Sequence, residues 1–411
     1  VGSKHGFTAP RRHRAVLAGL GVALALSLAA PVASAASASA TPSRYRVGFP
    51  GANGLVVFES ARTGKSQIYV RATDGTETAI TQGPSDTEPE FNPFGTRIVF
   101  QRGDQIYVMN ANGSKQKNLS NNQAWNDGAP SWSPDGSKIV FASYEGGPMN
   151  IWTMNADGSH RVRLTNDAGG DTNPAWSPDG SKIAFASHRD GNWEVYVMNA
   201  DGSNQANITN NTADDDRPAW SPDGSTIVFT SGRAHPHSIG QDLWFVSPDG
   251  SNLVAFDHHP QGASDGDYAT WSPDGSQIVF SANNGLGSYQ LWSAPVGGTD
   301  TRLTNDAGNP ANEMADWQPV APAPTLTLTP SSGPAGSAVE VTGGGYGPRE
   351  TVKLTFVQGK TKTKLGSTKA NASGAIDKTV TIPATAKLGK ATVKAAGVTS
   401  ALSASAGFTV S

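Results

Sequence analysis

From Leu55 onward the chain repeats one arrangement of apolar and polar positions. A short apolar run ends in Phe: Leu55-Val56-Val57-Phe58, Ile139-Val140-Phe141, Ile183-Ala184-Phe185, Ile227-Val228-Phe229 and Ile278-Val279-Phe280. A second run follows after a variable loop: Ile68-Tyr69-Val70, Ile106-Tyr107-Val108-Met109, Ile151-Trp152-Thr153-Met154 and Val195-Tyr196-Val197-Met198. Both are rich in β-branched and aromatic residues, which fit a pleated, half-buried surface, so both predict strands. Asn112-Gly113, Asp157-Gly158, Asp201-Gly202 and Asp249-Gly250 come next. These pairs tolerate the positive φ of tight hairpin turns. A short last strand, as in Arg163-Leu164-Thr165, ends each unit.

Each unit opens on Trp-Ser-Pro-Asp-Gly, at Trp132, Trp176, Trp220 and Trp271, with degenerate copies at Phe91 and Trp317. The anchors lie 41, 44, 44, 51 and 46 residues apart. That period suits four short strands with their turns, one propeller blade. The phase of the repeat predicts the closure. Two strands precede the first anchor and none follows the last, so the Trp317 segment should complete the first blade and seal six blades. Sealing matters because it pairs edges that an open array would expose.

The Trp-Ser-Pro-Asp-Gly-Ser-x-Ile-x-Phe signature resembles the TolB-type, WD40-like six-bladed β-propeller over about residues 50–319. TolB itself carries an α/β domain before its propeller, whereas here an export signal runs almost directly into the first blade. The resemblance therefore implies the fold, and not TolB's role in the outer membrane.

Pro319, Pro322 and Pro324 mark a stiff linker. Beyond it, Thr325–Thr329, Val339–Thr342, Val352–Val357, Thr379–Ile382, Ala391–Lys394 and Gly407–Val410 read as strands at sandwich-like spacing. This segment resembles bacterial Ig-like, IPT/TIG-like modules. The fold class is all-β. The expected segments are a signal peptide over 1–35, a linker over 36–45, the propeller over 46–319, a Pro-rich linker over 320–324 and a sandwich over 325–411.

Charge supports the division. Residues 1–44 carry a net +5, residues 45–324 a net −15 and residues 325–411 a net +7. Arg11-Arg12-His13-Arg14 before the apolar run Ala15–Ala30 reads as a secretory signal, cleaved after Ala35, Ala38 or Ala40. Val1 is what a GTG start read literally would give, so a bacterial source is expected. No later stretch is apolar enough to span a membrane. The expected address is secreted or cell-wall associated, as a monomer. The absence of Cys excludes disulfides, thiolate zinc sites and Cys nucleophiles. An overall net charge of −3 argues against nucleic acid as partner.

Two groups of residues are candidates for binding. Asp86, Asp127, Asp171 and Asp215 stand five positions before their anchors, and Asp267 and Glu313 stand four before theirs. Topology puts all six where loops enter the inner strands, as a carboxylate ring at the channel mouth. Such a ring would attract a basic peptide or a divalent cation. The same residues would equally serve as Asx-type turns. The second group is His235, His237, His258 and His259 of the fifth blade, which with nearby Asp residues would suit a transition metal. Gly262-Ala-Ser264-Asp-Gly266 has the letters of a nucleophile elbow, but an inner strand follows it where a helix is required. No cofactor motif is present. The expected function is therefore non-catalytic binding of a protein, a peptide or a cell-wall glycan on the loop-rich face. The alternatives are a metal-dependent polysaccharide lyase or hydrolase using those histidines, and a structural envelope protein.

Overall fold

A computed structural model describes residues 52–121, 124–233, 242–256, 266–283, 289–295, 299–305, 311–321, 323–371 and 373–411. The expected signal and linker, Ser264 and the histidines His235, His237, His258 and His259 lie outside these residues.

Among the described residues are six four-stranded antiparallel sheets. Their innermost strands are Asp86–Phe91, Asp127–Trp132, Asp171–Trp176, Asp215–Trp220, Gly266–Trp271 and Asn312–Val320. These six neighbour one another in a closed ring around a central channel. Asn312–Val320 pairs antiparallel with Ala52–Ser60, with Val56 opposite Trp317 and Val57 opposite Asp316. The first sheet is thus completed by the last inner strand, the closure that the repeat phase predicts.

The core lies between blades. Trp132 packs with Val99, Ile106 and Val108 of the preceding sheet and with Ile139 and Phe141 of its own. Trp176 repeats this with Val140, Ile151, Ile183 and Phe185. The Ser-Pro-Asp-Gly-Ser letters are turn chemistry. Asp135 accepts Ser133 Oγ–H at 2.7 Å and the Ser137 N–H at 2.9 Å, and Ser133 Oγ accepts the Lys138 N–H at 2.9 Å. The same set recurs around Asp179, Asp223 and Asp274. Another repeat lies at the outer strand, where a hydroxyl (Thr81, Ser120, Thr165, Thr209 or Thr304) accepts the N–H of Ile68, Ile106, Ile151, Val195 or Leu291.

Each inner strand holds one residue in the left-handed region: Glu88, Ala129, Asn173, Arg217, Tyr268 and Met314, with φ from 47° to 55°. The pairing register slips at the same place in every blade. This is a β-bulge, which bends the strand and re-aims a side chain. None of the six is Gly, so the ring of packed blades imposes the conformation. All six line the channel.

The C-terminal sandwich packs a three-stranded sheet against a five-stranded one over Val339, Val341, Val352, Leu354, Phe356, Val393 and Phe408. The six expected strands are present, Thr325–Thr329 with the expected ends and the other five with shifted ends, and Thr361–Lys369 and Ser332–Gly333 add two more. The sandwich meets the propeller at the Phe91–Gly95 turn. Thr96 Oγ–H donates to the Ser400 carbonyl at 2.5 Å. Phe94 lies so close to Gly136 and Gly347 that a methyl on either glycine would fall within 3 Å of its ring. Glu350, 5% exposed, fixes the contacting loop by accepting the N–H groups of Thr399 at 2.9 Å and Ser400 at 3.0 Å.

Candidate functional site

The expected open carboxylate ring needs correction. Asp86, Asp127, Asp171 and Asp215 are fully buried. Each is bonded to an arginine: Arg102 at 2.6 Å, Arg161 at 2.9 Å, Arg189 at 3.2 Å and Arg233 at 2.5 Å. Each arginine also stacks on two aromatic rings of its sheet, as Arg189 does at 5.7 Å from Phe185 and 4.5 Å from Tyr196. Three of these arginines follow the Phe of the second strand within four residues. In the third blade that place belongs to Tyr144-Glu145, and Arg161 reaches in from the outer hairpin to cover Phe141 and Trp152 instead. These four aspartates therefore form the scaffold: a buried carboxylate needs its cation, and the cation needs the aromatic faces. Gly266 and Asn312 occupy the equivalent position in the other two blades.

Asp267 and Glu313 differ. Asp267 accepts Arg217 at 3.0 Å and Thr230 Oγ–H at 3.1 Å. Burial raises its pKa, and Arg217 opposes that rise. Burial also raises Glu313, with the charge of Asp267 adding to the effect. Asp267 is tied to the channel wall through Arg217, whose charge also opposes the rise at Glu313; Arg217 further donates to Tyr268 Oη at 2.9 Å. Asn173 donates to Asp216 at 2.8 Å on the same side.

The opposite wall is acidic, and the sequence reading missed it. Glu88 at the bulge accepts the Ala129 N–H at 2.6 Å. Glu90, two residues on, accepts the Trp132 N–H at 2.8 Å. Asp316, at the corresponding place of the neighbouring strand, accepts the Phe91 N–H at 2.8 Å. Behind them Glu59 accepts the Glu88 N–H at 3.3 Å. In each of the three channel carboxylates one oxygen is held by the next blade. Among the described residues no protein donor meets the other oxygen of Glu88 or Glu90, while Asp316 also takes a backbone hydrogen bond from Trp317. All three keep partial exposure, and the solvent they meet is that of a narrow channel. Protein surrounds them otherwise, so burial raises the pKa of each. Glu90 is raised further by the charge of Asp316. Glu59 is pushed up to about 8, chiefly by burial.

The channel encloses about 240 Å³. Besides the charged groups it is lined by Trp132, Trp176, Trp220, Trp271, Trp317 and by Pro178, Pro222 and Pro273 of the Ser-Pro-Asp-Gly turns. Apolar walls with a few convergent polar groups characterise ligand sites. Signal for the missed residues exists within the repeats. The positions three and one before the anchor vary among acidic, basic, small and aromatic types, while the surrounding frame stays constant. For metals, no group of three or more His, Asp or Glu is arranged to hold an ion among the described residues.

Comparisons with known proteins agree with this architecture. Residues 116–243 match the TolB beta propeller domain, and residues 322–410 match the macroglobulin-like domain. An uncharacterized protein of Agrobacterium fabrum is 31% identical over 117 residues, 27% of this chain and 40% of that protein. The chain thus matches less than half the length of that relative. Among solved structures, TolB from Acinetobacter baumannii superposes with a TM-score of 0.55 at 19% identity, covering 65% of this chain and 67% of that one. A putative TolB from Agrobacterium tumefaciens gives 0.51 at 20% identity, covering 65% and 99%. At such identities the likeness shows the fold. No helix of the described residues is long and apolar enough to cross a membrane.

Proposed function

We propose that this chain, a TolB-type propeller followed by an Ig-like sandwich, is a non-catalytic binding protein of the bacterial envelope or exterior. In this reading the propeller takes a basic peptide segment of a protein partner into its channel. One observation carries the proposal: beside Asp316, Glu88 and Glu90 each leave one carboxylate oxygen without a protein donor in an indole-lined channel. A lysine or arginine head group would meet those oxygens, and its stem would lie along the tryptophans and prolines. Crowded carboxylates hold protons that an incoming cation displaces, so binding selects positive charge. Arg217 on the far wall rejects a cation there and so orients the segment.

Peptide-display selection on the intact chain tests the reading. Recovered sequences should be enriched in Lys and Arg, and the enrichment should vanish with the triple variant Glu88→Gln, Glu90→Gln, Asp316→Asn. Equal enrichment by the variant, or none by the wild type, would contradict it.

A further inference from the structure

The sandwich carries a second charged surface on another element. In its five-stranded sheet, Val352, Leu354 and Phe356 of Thr351–Gln358 and Ala391, Val393 and Ala395 of Gly389–Gly397 face the core. Alternation along a strand sends the intervening residues to the opposite, outward face. There the register sets Thr355 between Lys364 and Lys394, and Val357 between Lys362 and Thr392. Lys353, Lys369 and Lys390 share this side, and all six lysines are exposed. The acids of the domain lie elsewhere: Glu350 is buried under the propeller contact, and Glu340 and Asp377 belong to the three-stranded sheet. Among the described residues none of the six lysines makes an ion pair.

Three of these lysines belong to Thr361–Lys369, the edge strand of the sheet, where charge guards against edge-to-edge pairing. That role does not reach Lys353, Lys390 and Lys394, which stand on the two adjoining interior strands. Like charges on adjacent strands repel, so a face carrying only lysine is less stable than a mixed one. The arrangement makes sense when an anion lies across it.

We propose that this face binds a linear phosphodiester polyanion. From Lys362 to Lys369 the stripe runs roughly 23 Å, and its three strands are roughly 10 Å across. Such an outline suits a chain-like ligand laid along the strands. The residues between the lysines are Thr, Ser and Ala, with only Val357 as a partly exposed apolar side chain. Protein interfaces centre on aromatic and Arg anchors and are depleted in Lys, and this face has the reverse composition. Lys in place of Arg provides point charges without a planar fork, which suits a phosphate better than a carboxylate read bidentately.

The test uses the intact chain and defined polymers. Poly(glycerol phosphate) should bind, and the affinity should fall linearly on a log–log plot against salt. The triple variant Lys362→Gln, Lys364→Gln, Lys394→Gln should bind at least roughly tenfold more weakly and lose about 2 from the slope, as expected for three phosphate contacts. Lys→Arg at the same positions should retain binding, since charge carries it. All these residues are exposed, so the variants should fold as the wild type does, with the Gln variant, relieved of repulsion, melting no lower. Unchanged affinity of the Gln variant would overturn the proposal. So would tighter binding to polygalacturonate or to phosphatidylglycerol vesicles than to the phosphodiester polymer.

Discussion

Glu90 and Asp316 occupy the same place on adjoining inner strands, and each accepts a backbone N–H of the next blade, from Trp132 and Phe91, at 2.8 Å. The other four blades have Ser131, Ala175, Ala219 and Thr270 there, so this stitching is confined to one side of the ring. Two carboxyl groups are thereby brought into a space that suits one negative charge better than two.

The pH dependence of stability follows from that crowding. Burial raises both pKa values above those of the unfolded chain. The folded state is favoured while the groups are protonated, and that contribution is lost as pH rises through their folded values. Asp316→Asn keeps an oxygen for the Phe91 N–H and removes the charge. At about pH 3.5, below the usual carboxylate value, the variant and the wild type should melt alike. At about pH 8 the variant should melt higher, by on the order of 5 °C, in thermal scans across the pH range. A constant difference across that range would contradict the account.

Removing the carboxylate from an Arg–Asp pair should instead destabilise the fold. Asp127 is fully buried and meets both terminal nitrogens of Arg161, at 2.9 and 3.1 Å. Asp127→Ala leaves a guanidinium between Phe141 and Trp152 with only Glu145 as partner. Removing one member of a buried pair costs ~3–5 kcal/mol. Arg161 keeps some contact with water, so a loss of about 2 kcal/mol is expected in urea unfolding. A change below about 0.5 kcal/mol would mean that the pair contributes little.

Phe94 replaces the Asp of the repeated turn and packs at the sandwich. Phe94→Asp restores the repeat consensus and removes that packing. The propeller should keep its melting temperature, while proteolysis within residues 320–324 should accelerate several-fold. Equal cleavage rates would show that the contact does not hold the sandwich in place.

Much of the fold was legible because the repeats spell out scaffold chemistry. The Trp anchors, the Ser-Pro-Asp-Gly-Ser turns and the phase of the strands each have one physical solution, and together they require a ring closed by the Trp317 segment. The site was less legible. Regularity drew attention to Asp86, Asp127, Asp171 and Asp215, and that regularity reflects their shared structural pairing with arginine. Glu88, Glu90, Asp316 and Arg217 break the repeat pattern, and the bulge that aims position 88 and its equivalents into the channel leaves no Gly to mark it. In the sandwich, Thr361–Lys369 escaped notice because an exposed edge strand needs no apolar alternation.

The most direct measurement follows tryptophan emission while pentalysine is titrated into the intact chain, since five indoles line the channel. The account predicts a saturable change for the wild type at low salt. Screening should weaken it by roughly tenfold or more at a few tenths molar salt, where the Debye length falls below ~8 Å. The Glu88→Gln, Glu90→Gln, Asp316→Asn variant should show no such change, while the lysine-face variant should titrate as the wild type does. A triple carboxylate variant that titrates like the wild type would contradict the assignment of the channel as the peptide site.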